Sequence, residues 1–127
     1  MERVTGIGGI FFKTNDPGRI QEWYRTHLGV EASEGSAVFQ WRHHDDPERV
    51  GNTVWAPFAA DTDYFGPDGA AFMVNYRVAN LDRMLAQLRE AGVAVDPRIE
   101  EHEFGRFGWA TDPDGNRFEL WEPIAGM

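Results

Sequence analysis

The sequence contains no cysteine. That excludes disulfides and any cysteine-ligated metal, and leaves the cellular compartment open. Basic residues are few. Twelve Lys and Arg stand against twenty-one Asp and Glu, for a formal net charge of −9. Phosphate backbones are bound by clustered Lys and Arg, so a nucleic-acid partner is not expected. An acidic surface attracts cationic ligands and repels anionic ones, although acidity also serves solubility alone. No apolar run is long enough to span a bilayer. The opening Met1-Glu2-Arg3-Val4-Thr5-Gly6 lacks the apolar centre of a signal peptide. A cytoplasmic protein without a membrane partner is the expectation.

What is present suits one globular domain. The chain has 127 residues, 42% hydrophobic and 13% aromatic, enough to bury a core without covalent staples. It also reads twice. Gly9-Ile10-Phe11-Phe12-Lys13 parallels Met73-Val74-Asn75-Tyr76-Arg77, each a strand-like run ending in a base. A helix start follows each. Asp16 is placed to cap free amides and Pro17 suits the first helical position, with Asn80 as cap in the second copy. Ile20, Trp23, Tyr24 and Leu28 fall on one face of the first helix; Leu81, Met84, Leu85 and Leu88 do so in the second. Gly29 and Gly92 supply left-handed stops.

The second half of each copy repeats as well. Asp46-Pro47-Glu48-Arg49-Val50-Gly51-Asn52 is matched with Asp112-Pro113-Asp114-Gly115-Asn116, and both read as turns. Strands are expected before them, around Ala37–Arg42 and Phe104–Ala110, and after them, at Thr53–Phe58 and Arg117–Glu122. The weakest strands are Ala32–Ser33 and Val95–Arg98. The predicted fold is α+β: two tandem βαβββ modules, about 4–58 and 71–123, forming a curved sheet with a concave pocket. Residues 57–71 read as a linker whose Tyr64 and Phe65 either pack on the domain or cover the pocket.

The run from Val4 to Pro17, followed by Trp23-Tyr24-Arg25-Thr26-His27-Leu28-Gly29, resembles the opening of vicinal-oxygen-chelate proteins of the glyoxalase, bleomycin-resistance and dioxygenase type. Asp112-Pro113-Asp114-Gly115-Asn116-Arg117-Phe118-Glu119-Leu120 resembles their closing motif. The resemblance implies a small-molecule ligand and a homodimer. It also implies one divalent metal in catalytic members, held by residues of the first and last strand of each module. Carried onto this chain, those positions read Gly9, Trp55, Met73 and Glu119. Only Glu119 is a plausible ligand, and one carboxylate rarely holds such a cation. No cofactor and no metal are therefore expected.

Strand alternation sorts the faces. The expected pocket lining is Phe11, Trp55, Met73, Asn75, Arg117, Glu119 and Trp121, with Gly9 beside them and Phe39 and Trp41 as additions. Arg106 is a candidate contact for a ligand anion. A carboxylate among aromatics should have a raised pKa and serves as a base or a cation site, unless Arg117 or Arg77 pairs with it. His43 and His44 alternate in facing and read as an exposed turn; His27 and His102 read as surface residues.

Three functions fit this pattern. The first is a bleomycin-resistance-like protein binding a small aromatic or cationic molecule without the usual metal. The second is a metal-independent lyase or isomerase with Glu119 as general base, and Asn75 or Arg106 holding an oxyanion. The third is a metal-dependent lactoylglutathione-lyase-like or dioxygenase-like enzyme with displaced ligands such as His43 or His102.

Overall fold

The computed structural model describes residues 1–127. Strand β1 (Val4–Thr14) leads into helix α1 (Pro17–Leu28), then β2 (Ala37–His43) and β3 (Asp46–Ala59). The second copy runs β4 (Phe72–Val78), α2 (Leu81–Glu90), β5 (Ala94–Val95), β6 (Glu100–His102), β7 (Gly105–Thr111) and β8 (Arg117–Pro123). The helices start where the caps indicate. Asp16 Oδ1 accepts from the Arg19 amide at 3.0 Å and Asn80 Oδ1 from the Arg83 amide at 3.0 Å. Gly29 closes α1 at φ 68°, its amide donating to the Arg25 carbonyl at 3.1 Å.

One sheet runs through both modules in the order β2-β3-β1-β4-β8-β7-β5, with β6 pairing β7. The modules meet within one chain by antiparallel pairing of β1 with β4, Gly9 opposite Asn75, Ile10 opposite Val74 and Phe11 opposite Met73. Each first strand also pairs in parallel with the last strand of its own module. Phe11 sits opposite Ala56 and Asn75 opposite Glu119.

Two cores result. One includes Phe11, Ala56, Phe65, Met73, Phe107, Trp109 and Trp121. The other joins α2 to the sheet through Val78, Leu81, Met84, Leu85 and Leu120. Helix α1 has no such core. None of its residues is buried, and Trp23 and Leu28 are 50% and 63% exposed. Its apolar stripe is held mainly by Tyr24, which packs on Phe12 and Trp55 at ring distances of 6.2 and 4.9 Å. No helix is long and apolar enough to cross a membrane.

Four local expectations are corrected. Asp46–Asn52 is the first half of β3, not a turn; the hairpin turns at His44 and Asp45. Pro47 is tolerated because it falls at the start of the strand. Ala32–Ser33 forms no strand, leaving a single bridge between Ser33 and Ser36. Val95–Arg98 is replaced by the short strands β5 and β6. The linker begins only after β3 ends at Ala59, and it is packed down by Phe65, 2% exposed.

Candidate functional site

Register decides which side chains meet inside the curve. Asn75 and Glu119 are direct neighbours on β4 and β8, so their side chains emerge on one face. Asn75 Nδ2 donates to Glu119 Oε1 at 2.6 Å. Trp109 Nε1, from β7, donates to Glu119 Oε2 at 2.9 Å, and the Tyr64 hydroxyl donates to the same oxygen. Glu119 is 1% exposed and Asn75 1%.

No arginine, lysine or histidine forms an ion pair with Glu119. Burial pushes its pKa above the usual carboxylate value, and the bonds from Tyr64, Asn75 and Trp109 oppose that push in part. The Tyr64 phenol is likewise pushed up, by burial first and then by the charge of Glu119. The Asn75 Oδ1 atom is buried without a partner.

A cavity of about 360 Å³ opens over this carboxylate, a volume in the range of small-molecule sites. Its walls are aromatic. Phe58 and Tyr64 stack at 5.5 Å, Phe107 and Trp121 at 5.9 Å, and His102 lies over Phe107 at 4.4 Å. Phe11, Val54, Ala56 and Met127 complete much of the apolar lining. Gly8 permits the close approach of β1. A Cβ there would stand 2.1 Å from Asn75 Oδ1 and 2.9 Å from Trp121 Cε3.

Of the residues expected in the pocket, Phe11, Asn75, Glu119 and Trp121 line this cavity. The others do not. Trp55 is on the helix side of the sheet, against Phe12 at 5.4 Å and Tyr24. The physical reason is a one-residue slip, which turns a strand residue to the opposite face. Matching Asn52 to Asn116 treated strand as turn. In the structure Phe11 pairs with Ala56 as Asn75 pairs with Glu119, so Ala56 is the counterpart of Glu119. Trp55 is the counterpart of Phe118, which packs on Tyr76 as Trp55 packs on Phe12.

Met73 is 1% exposed in the core rather than in the cavity wall. Phe39 is 50% exposed. Trp41 packs near Gly6 and Gly51 and donates to Thr53 Oγ1 at 2.8 Å. Arg106 is held by Asp82 at 2.9 Å and Glu101 at 2.9 Å. Arg117 pairs with Asp96 at 3.2 Å and lies 5.4 Å from the Trp109 ring. Neither arginine reaches Glu119.

Sequence reasoning missed Tyr64 and Trp109 as partners of Glu119. The alternation of Phe107 and Trp109 on one strand was the available signal for an inward aromatic face. His44 and His27 are exposed, His102 is exposed at the cavity rim, and His43 is buried against Trp41 at 4.9 Å.

A sequence profile of the Glyoxalase/Bleomycin resistance protein/Dioxygenase superfamily matches residues 6–120. The chain belongs to that superfamily. Solved structures with the same fold include methylmalonyl-CoA epimerase from Mycobacterium tuberculosis, at 22% identity and a TM-score of 0.65, covering 95% of this chain and 89% of that one. A Streptomyces coelicolor methylmalonyl-CoA epimerase variant in complex with 2-nitronate-propionyl-CoA aligns at 19% identity and TM-score 0.71, over 98% of each chain. An extradiol ring-cleaving dioxygenase from B. fuscum aligns at 16% identity and TM-score 0.62, over 99% of this chain and 34% of its own. A search of curated proteins returned no match. These likenesses establish the fold.

The four positions that the superfamily resemblance associates with metal are Gly9, Ala56, Met73 and Glu119, once the register is corrected. Only Glu119 carries an oxygen donor, and both its oxygens already accept bonds within the protein. No group of three or more His, Asp or Glu side chains in the chain is arranged to hold a metal ion. This donor set does not fit a divalent cation.

Proposed function

We propose that this superfamily member binds a small, aromatic or otherwise apolar cation in the cup, with Glu119 as the counter-charge and without a divalent metal. One observation carries the reading: a carboxylate buried to 1% exposure, oriented by three donors, with no cation of the protein paired to it. A buried charge is costly unless something compensates it. The stacked rings around it favour planar or quaternary cations through their faces. A cationic ligand would complete both requirements.

Calorimetry with N-methylquinolinium and with neutral quinoline tests this. The cation should bind saturably and more tightly, and Glu119→Gln should remove the preference while keeping the fold. Affinity for the cation should fall on acidification, because protonation of Glu119 removes the charge it recognises; the raised pKa moves that loss towards neutral pH. Equal affinity for both probes, or no saturable binding, defeats the proposal.

A second reading has one specific observation in its favour. A carboxyl group with a raised pKa, bonded to a phenol at the wall of a cavity, suits proton abstraction next to a carbonyl. Exchange of the C2 proton of methylmalonyl-CoA in D2O, abolished in Glu119→Gln, would support it; the choice of probe follows from the epimerases that share the fold.

We also propose a homodimer. Its face would include Trp23, Leu28 and Phe72, which are 50%, 63% and 66% exposed. Light scattering that gives only monomer at micromolar concentration would reject it.

A further inference from the structure

Arg77 is the counterpart in charge of Glu119. It is 4% exposed, yet no carboxylate stands within ion-pair distance of it. The one hydrogen bond of its side chain runs from Nη1 to the Asn52 carbonyl, at 3.4 Å. Its Nε is buried and has no partner. The guanidinium carbon lies 5.0 Å from the Trp121 ring and 5.4 Å from the Trp41 ring. Two indole faces offset part of the cost of burying a cation, but they leave its N–H edges unsatisfied. Burial lowers the pKa of Arg77 and the nearby charge of Arg49 lowers it further.

Arg77 also borders open space. Arg77 lines a cavity of about 480 Å³ with Thr5, Glu48, Arg49 and the segment Pro123–Met127. Two arginines therefore line one cavity in a protein of net charge −9, with Glu48 the one acidic side chain and the carboxyl end of Met127 also in its lining. This cavity is separate from the aromatic cup: of their lining residues, only Met127 is shared.

We propose that this second cavity is an oxyanion site, in which Arg77 and Arg49 bind the carboxylate or phosphate group of a small molecule. The guanidinium fork matches two oxygens of such a group, and its position against two rings leaves it little freedom to lose. The flanking indoles pin the fork, so Arg77 sets the geometry and Arg49 adds charge at the mouth. The inference is independent of what the aromatic cup holds.

Trp41 and Trp121 are natural reporters. Tryptophan fluorescence would be titrated with sodium phosphate and, separately, sodium acetate, against sodium chloride at equal ionic strength. The wild type should show a saturable change with at least one oxyanion and none with chloride; which of the two responds identifies the group. Arg77→Met should abolish the response while unfolding at the same temperature or higher without anion, since an apolar side chain replaces an uncompensated charge. Arg77→Lys keeps the charge but loses the fork, and should weaken binding at least tenfold. Arg49→Gln should weaken it several-fold. A wild type that responds to neither oxyanion, or a response that survives unchanged in Arg77→Met, overturns the site. Undiminished affinity in Arg77→Lys does the same, and that variant keeps the test decisive should Arg77→Met fail to fold.

Discussion

Replacing Glu119 in two ways separates its charge from its hydrogen bonds. In Glu119→Ala, Trp109 Nε1 and Asn75 Nδ2 lose their acceptor, and both residues are buried, at 0% and 1% exposure. Each orphaned buried donor costs about 1–3 kcal/mol, so the pair costs roughly 2–6 kcal/mol. Tyr64 adds less, because it is only partly buried and its hydroxyl can turn to water. Glu119→Gln behaves differently. Its amide oxygen takes the place of Oε2 and accepts from Trp109 and Tyr64. Its amide nitrogen then faces Asn75, whose side chain can turn over so that the unpartnered Oδ1 accepts. The variant keeps the network, so its stability should lie within about 1 kcal/mol of wild type under acid conditions where the wild-type carboxyl holds its proton.

The pH dependence sharpens the test. The folded-state pKa of Glu119 is raised above its ordinary value of 4.5. As pH rises through that value, the unfolded chain ionises while the folded one still holds its proton. Stability of the wild type therefore falls across a window that opens near 4.5 and closes at the raised folded value. Other titrating groups cancel in the difference between wild type and Glu119→Gln. Urea unfolding of the three proteins between about pH 4 and 8 should show the Gln variant gaining on wild type as pH rises. A flat difference, or a Gln variant as damaged as the Ala variant, would refute the account of a buried, unpaired carboxylate.

Gly8→Ala should destabilise by about 1–3 kcal/mol in the same assay, since its methyl group would stand 2.1 Å from Asn75 Oδ1 and 3.0 Å from Arg77 Cγ. Leu85→Ala should cost about 2–5 kcal/mol by thermal or urea denaturation, at a site 1% exposed. Trp55→Ala should lower stability yet leave N-methylquinolinium affinity unchanged, while Trp121→Ala should weaken that affinity; loss of binding in the first would return Trp55 to the cup. Elemental analysis of untagged protein should find no near-stoichiometric divalent metal in the wild type. Ala56→Glu with Met73→His should create a three-ligand set with Glu119 and raise the bound fraction of added Zn or Ni.

Features encoded within a few residues were legible from the sequence. Asp16, Asn80 and Gly29 act on amides and carbonyls three or four positions away, so their roles follow from local geometry. The repeat located the first and last strands of each module, and with them Phe11, Asn75 and Glu119. Tyr64 was not legible as a partner of Glu119, because it lies 55 residues from it along the chain and no local pattern encodes that contact. Arg117 and one of the two acids of Arg106 carried the same difficulty: Asp96 and Asp82 stand 21 and 24 residues away. The one error of register came from a strand that looks like a turn. Asp46-Pro47 and Gly51-Asn52 are turn-like pairs, yet β2 holds them in a ladder from His43 opposite Asp46 to Ala37 opposite Trp55. That slip has unequal consequences. The donor set for a metal is the same in either register, because neither Trp55 nor Ala56 carries a ligand atom for a hard cation. Room for a ligand is not the same in the two registers. An indole at the Ala56 position would fill the space over Glu119, and the methyl group found there leaves a cavity of about 360 Å³ open above the carboxylate.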